Sequence, residues 1–218
     1  MKYVYPYRKG SQNFDVLHHS VQWLKCFDPE AEVYIIGDLH PDGYSIPIQT
    51  LPIRGCDVTN KILHFARIYS GTFCYMNDDF FIGKNFRFDR ILHSNEMEIN
   101  PKYAPTYQEA MQNTIDFLKS NGKTTFNYEC HQPVLMDSDK LLALFDTITW
   151  KQHNHFIKSM YLNYYGCYHV QGENLKVAND IRKASEFITK YGSFSTGDTW
   201  FNQKAQREFI TKRLAYSV

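Results

Sequence analysis

The run Glu32-Val33-Tyr34-Ile35-Ile36-Gly37-Asp38 constrains the fold most, because it reads as one continuous apolar strand and what precedes it fixes how that strand must pair. Residues 2–7 form a short aromatic and β-branched run that ends near Pro6 and Gly10, suited to a buried first strand. Phe14, Leu17, Val21 and Leu24 then recur at helical spacing, with Asn13 or Asp15 placed to cap, so a helix is expected over 14–26. A strand, a helix and a second strand at this spacing require a right-handed crossover and hence a parallel sheet.

The alternation continues. Residues 48–53 read as a third strand, and Asp57-Val58-Thr59-Asn60 as the cap of a helix whose buried stripe is Ile62, Leu63, Phe65, Ala66 and Tyr69. That helix ends at Ser70-Gly71, and residues 73–82 follow as a single aromatic-rich strand that carries Asn77-Asp78-Asp79. Beyond residue 90 the pattern loosens, with helices expected over 106–120, 137–147, from about 179 to 190 and over 199–214. No repeat or linker divides the chain, so 1–218 is expected to be one domain.

Ionised carboxylates in an apolar setting are unfavourable unless paired, hydrogen-bonded or bound to a cation. Asn77, Asp78 and Asp79 offer the hard oxygens that suit Mg²⁺ or Mn²⁺, and such ions usually also ligate a substrate phosphate. The competing reading is an Asn-Asp-Asp turn between two strands. Open parallel sheets bind ligands at the carboxyl ends of their strands, where Tyr5-Pro6-Tyr7-Arg8, Gly37-Asp38 and Asn77-Asp78-Asp79 would converge. Arg8 and Lys61, the latter just inside an expected helix amino terminus, are candidates to hold a phosphate or else are surface cations. Tyr5 and Tyr7 offer faces on which a base could stack, or else pack the core.

With 43% apolar and 16% aromatic residues among 218, the chain is rich enough to bury a core. No apolar run approaches the roughly 20 residues of a membrane span and the amino end has no signal-peptide core, so a cytoplasmic protein is expected. Five isolated cysteines argue against a disulfide framework or a zinc knuckle. Residues 1–139 carry 13 Lys+Arg against 17 Asp+Glu, and residues 140–218 carry 11 against 6. The basic, aromatic carboxyl-terminal part therefore suits an anionic acceptor such as nucleic acid or a phosphorylated glycan, unless it is an ordinary solvated face. His153-Asn154-His155 lacks metal-ligand spacing. The phosphate-loop, dinucleotide and serine-elbow motifs are also missing from the sequence.

The strand-helix-strand opening and the acidic triplet at the end of an apolar strand resemble nucleotide-sugar transferases of the GT-A fold. Within that fold, His18-His19-Ser20-Val21 with Val33-Tyr34-Ile35-Ile36, and Tyr75-Met76-Asn77-Asp78-Asp79-Phe80-Phe81, resemble the second region of Stealth-type sugar-phosphate transferases of capsular polysaccharide synthesis. His131-Gln132-Pro133-Val134-Leu135 is similar to that family's His-x-Pro stretch, and Ser195-Thr196-Gly197-Asp198-Thr199 falls where its last acidic region would. The likeness touches about half the chain and departs from the family at residues 3–8, which lack its usual opening, and at the end, where Asp198 alone replaces a paired acidic motif.

The resemblance implies a Rossmann-like, mostly parallel sheet flanked by helices. Residues 1–90 would bind the nucleotide sugar, and a more helical 91–218 would bind the acceptor. It makes Asp79 the direct ligand of Mn²⁺ or Mg²⁺, with Asp78 or Asn77 completing the site. Candidate bases for an acceptor hydroxyl are Asp198, Glu129 and His131. The implied activity is transfer of a sugar from a nucleoside-diphosphate sugar to a glycan or a modified DNA base. The alternatives are hexose-1-phosphate transfer and a non-catalytic sugar-nucleotide or nucleic-acid binding domain.

Overall fold

The computed structural model describes residues 1–10, 16–178, 180–197 and 199–215, with side chains to 212. Its elements in chain order begin with β1 (Lys2–Tyr7), α1 (Val16–Phe27), β2 (Glu32–Gly37), β3 (Tyr44–Pro47), α2 (Arg54–Ile68), β4 (Thr72–Tyr75), β5 (Phe80–Ile82) and β6 (Ile91–His93). They continue with α3 (Pro105–Ser120), β7 (Val134–Asp137), α4 (Ser138–Phe145), α5 (Ile157–Tyr165), β8 (His169–Gln171), β9 (Lys176–Val177), α6 (Ile181–Tyr191), β10 (Ser193–Thr196) and α7 (Lys204–Ala215). The expected class, mixed α/β with a central and mostly parallel sheet flanked by helices, is the one observed.

The main sheet has the order β3-β2-β1-β4-β7. Its first four strands run parallel, and β7 closes the edge antiparallel to β4. Pleating separates the side chains of these strands into two cores, since successive residues of a strand point to opposite faces. Val4, Tyr34, Ile36, Phe73, Tyr75, Val134 and Met136 pack against α2 to α5, whereas Tyr3, Tyr5, Val33, Ile35 and Cys74 pack under Leu17, Val21 and Leu24 of α1. A third core joins Trp23 to Phe81, Phe194, Trp200 and Phe201, with the rings of Phe81 and Phe194 stacked at 5.0 Å.

Four expectations change. The third strand is β3, not 48–53: pairing with β2 ends after the Ile48 N–H reaches Gly37 O at 3.3 Å, and the Leu51 N–H goes instead to Asp57 Oδ1 at 2.8 Å. Helix α2 begins at Arg54, so Asp57 to Asn60 lie inside it rather than capping it. Residues 73–82 are not one strand. After Met76 N–H bonds Val4 O, the chain turns through Asn77 to Asp79 and re-emerges as β5 of a different sheet, β5-β10-β9. The expected helix over 199–214 is interrupted, with a 3₁₀ turn at Trp200–Asn202 before α7. Asn13, Asp15 and Asn179 lie outside the described residues.

The five cysteines are free. No described helix is long and apolar enough to cross a membrane.

Candidate functional site

The carboxyl ends of β1, β2 and β4 meet on one side of the main sheet, and backbone contacts hold them in fixed relation. Asp38 N–H reaches Tyr7 O at 3.4 Å, and Lys9 N–H donates to Asp38 Oδ2 at 2.7 Å. Gly37 is required here. Its φ is +129°, and a Cβ would fall 2.1 Å from Tyr7 O.

Lys61 does not sit at a helix amino terminus facing this crevice. It lies within α2, 1% exposed, with Nζ donating to Asp57 Oδ2 at 2.6 Å and to Tyr7 O at 2.9 Å. The ammonium is a buried tether between β1 and α2, with two of its three donors bonded to the protein.

Tyr5 is corrected as well. Residues 3 and 5 share the face covered by α1, so Tyr5 is fully buried and its hydroxyl lies 3.4 Å from Ser20 Oγ. No base can stack on it. Tyr7, on the same parity but at the strand's end, is half-buried with its ring edge-on to His40 at 5.2 Å, and Arg8 is exposed. Asp38 is half-buried.

Asp79 is a strongly perturbed carboxylate at this end of the sheet. Its Oδ2 accepts from Ser195 Oγ at 2.8 Å and its main-chain O from Thr196 N–H at 3.1 Å, both on β10. Its Oδ1 is cut off from solvent and has no hydrogen-bond partner. Burial, and then the neighbouring Asp78 charge, push the Asp79 carboxyl up to about 7, against the opposing pull of the Ser195 bond and the Lys176 charge. Lys176 pairs with Ser195 across the parallel β9-β10 ladder, which places its stem on the Asp79 side.

Glu129 and His131, far away in sequence, are carried to the same place. Glu129 Oε1 accepts from Ser159 N–H at 3.2 Å and Ser159 Oγ at 3.1 Å, which caps the amino terminus of α5 from outside the helix, while Oε2 lies 3.5 Å from Lys158 Nζ. Lys158 is buried, 5.5 Å above the ring of Phe80, the residue after Asp79. The charges of Glu129, Asp79 and Asp78 all act on the buried Tyr75 hydroxyl and, after burial itself, drive its pKa up; Arg54 opposes them.

His131 has φ +53°, an uncommon left-handed conformation for a residue other than glycine. Its Nδ1 is 2.9 Å from Asn174 Oδ1. That oxygen also accepts Lys176 N–H at 2.9 Å, which fixes the amide orientation, so the proton is on His131 Nδ1 and Nε2 carries the lone pair. Burial, followed by the Lys158 and Lys176 charges, lowers the His131 pKa to about 3, so the ring is neutral at physiological pH.

Asp78, Asp79 and Glu129 thus share electrostatic reach of the Tyr75 hydroxyl, and His131 shares Lys176 with Asp79. Asp198 lies outside the described residues. Among the described residues no group of three or more His, Cys, Asp or Glu side chains is placed to hold a metal ion. The donor set nevertheless fits a hard cation at Asp78 and Asp79, because the orphaned, buried Oδ1 is an unpaired carboxylate oxygen of the kind such an ion satisfies. Sequence reasoning missed Lys158, Lys176 and Ser195. Ser195 entered only as part of the stretch leading to Asp198, Lys176 carried no motif, and Lys158 stands next to no other candidate in the sequence.

No protein-family model and no curated protein sequence matches the chain. Solved structures do align over nearly its whole length. A glycosyltransferase involved in glycosylation of the major capsid of PBCV-1 aligns at 6% identity over 98% of both chains, with a TM-score of 0.42. Galactosyltransferase LgtC in complex with donor and acceptor sugar analogues aligns at 11% identity over 100% of this chain and 95% of that one, with a TM-score of 0.44. The inositol-1-phosphate CTP transferase from T. maritima aligns at 10% identity over 97% and 94%, with a TM-score of 0.47. With every one of these scores below 0.5, the function proposed for the chain stands on its own residues.

Proposed function

We propose that the chain is a metal-dependent glycosyltransferase that moves a sugar from a nucleoside-diphosphate sugar to an acceptor hydroxyl. The observation that carries this reading is Asp79, a carboxylate at the carboxyl end of a parallel sheet, with one oxygen anchored by Ser195 and the other buried and unpartnered. Asp78 and Asp79, with Asn77 beside them, would hold Mn²⁺ or Mg²⁺, which when bound supplies charge neutralisation for the departing diphosphate.

The chain's own cations complement that role. Lys176, on β9, acts on the Asp79 carboxylate, and Arg8 extends from the end of β1, while Lys158 stays paired with Glu129. Lys176 and Arg8 take the place first assigned to Lys61. Tyr7 is the aromatic face left for the base. His131 Nε2 accepts a hydrogen bond from the acceptor hydroxyl and orients it. A ring with so low a pKa is a poor proton acceptor, so proton removal falls to Glu129 or Asp198.

The test is a thermal-shift screen of UDP-, GDP-, ADP-, CMP- and dTDP-sugars with and without Mn²⁺, on the native protein and on Asp79→Asn. A donor at a hundredfold excess over its dissociation constant stabilises the fold by about 2.7 kcal/mol. A Mn²⁺-dependent shift with one donor, lost in the variant, is expected; no shift with any donor refutes the reading. Product mass then separates transfer of a hexose from transfer of hexose 1-phosphate, since only the second adds phosphorus.

A further inference from the structure

We propose that Tyr103 and Tyr107, at the start of α3, form a stacking platform for the sugar ring of a neutral glycan acceptor. The inference rests on the transferase reading above and names the class of acceptor it uses.

Most aromatic side chains of this protein are buried, but Tyr103 and Tyr107 are 43% and 37% exposed, and Ile99 beside them in the chain is 40% exposed. The two rings meet edge-to-face at 5.1 Å, and Tyr107 packs in turn on Phe156 at 4.6 Å. The platform is fixed rather than loose. Pro105 opens the helix, Tyr103 N–H bonds Asn100 O at 3.0 Å, and Gln108 Nε2 returns to Tyr103 O at 2.7 Å. Rigid aromatic rings carrying a hydroxyl suit a ligand that is apolar on one face and hydroxylated at its edges, and a pyranose is such a ligand.

Position and charge decide the occupant. Phe156, under Tyr107, is the N-cap residue of α5, and Glu129 binds the first turn of that same helix. Contacts thus run from Tyr107 through Phe156 and the first turn of α5 to Glu129, whose charge also acts on the Tyr75 hydroxyl. Around the tyrosines, residues 96–109 carry three acids (Glu96, Glu98, Glu109) against one base (Lys102). A surface of this sign disfavours a polyanion. DNA, which binds through lysine and arginine contacts to phosphate, is the wrong partner for it.

The experiment is saturation-transfer NMR with lactose, N-acetyllactosamine and maltose on the wild type, Tyr103→Ala, Tyr107→Ala and Tyr107→Phe. A salt series with a duplex DNA oligonucleotide and the donor thermal shift run in parallel. Transfer to the C–H protons of at least one sugar is expected, with affinity at least tenfold weaker in both alanine variants and retained in Tyr107→Phe. The donor-induced shift is expected to persist in all of them. Two alanine variants at exposed positions guard against a folding defect in one. The proposal is overturned if none of the three sugars binds the wild type, if the alanine variants bind like the wild type, or if DNA binds in a salt-dependent way that the same substitutions abolish. Sugar binding through these tyrosines with no shift from any nucleotide sugar would sink the transferase reading alone.

Discussion

Replacing Asp79 by Asn removes a carboxylate whose charge the fold opposes, and the consequence is a difference in pH dependence with a definite sign. In the unfolded chain Asp79 loses its proton near 3.8; in the folded chain it does so near 7. Between these values the folded state holds a proton that the unfolded state has released. The wild type therefore loses stability as pH rises from about 4 to about 7, and the loss is complete above 7. At about 1.4 kcal/mol per pH unit the penalty is at most about 4 kcal/mol.

His131 works the other way. Its folded pKa is about 3 against an ordinary 6.5, so its contribution is present above 6.5 and lost as pH falls toward 3. The two slopes oppose each other in the wild type, so its stability curve alone shows little. Subtracting the curve of Asp79→Asn isolates Asp79. The variant leaves an amide nitrogen or oxygen unpartnered at the old Oδ1, costing about 1–3 kcal/mol, but that cost does not change with pH. Urea titrations followed by fluorescence of the buried Trp23, Trp150 and Trp200 at half-unit steps from pH 4 to 8 give both curves. The variant should gain on the wild type by about 2–4 kcal/mol across this window. A difference constant within about 0.5 kcal/mol would refute the account of Asp79. At pH 8, Mn²⁺ should stabilise the wild type and not the variant.

Lys61→Met strands Asp57 in a buried site and should cost about 3–5 kcal/mol in the same urea titration; a loss below about 1 kcal/mol would show that Lys61 is no tether. Glu129→Gln leaves Lys158 buried without its counter-charge, with a similar expected cost and weakened hydrogen-exchange protection over the first turn of α5. Tyr5→Phe gives up only a 3.4 Å hydrogen bond, so stability should change by less than about 1 kcal/mol and the donor-induced thermal shift should be kept; a lost shift would return Tyr5 to the binding site. Gly37→Ala should destabilise by more than about 1 kcal/mol, measured by thermal melting, because its φ and the nearby Tyr7 carbonyl both exclude a Cβ.

Where one segment's own pattern decides, the sequence was readable. Strands β1 and β2 and helices α1, α3 and α6 fall within about two residues of expectation, since apolar periodicity and a Gly or Asn stop act locally. Local pattern misled where a distant partner decides. Residues 48–53 look like a strand until the Asp57 carboxylate takes the Leu51 donor, and the two apolar runs around Asn77 look continuous because both of their sheets are buried. Strands as short as β9 exist only through their neighbours, and α5 lacks a side-chain N-cap of its own because Glu129 supplies the contact from elsewhere.

The candidate site divides in the same way. Asp79 was visible as a charge in an apolar run, His131 through resemblance, and Glu129 only as an acid two residues before it. Lys158 and Lys176 were invisible because a lysine declares its role only through what it is folded against. Tyr5 and Tyr7 were indistinguishable in sequence; one strand residue pair separates a core ring from a rim ring.

The turn from Asn77 to Asp79 belongs to neither sheet yet is bonded to both, through Met76 to Val4 on one side and through Asp79 to Thr196 on the other. Its length is therefore tied to two registers at once. An inserted or deleted residue there would invert the faces of β5 and move Phe81 out of its stack with Phe194, whereas a change of side chain leaves both ladders in place. Variants of this protein can be expected to differ in which oxygens the turn presents long before they differ in how many residues it has.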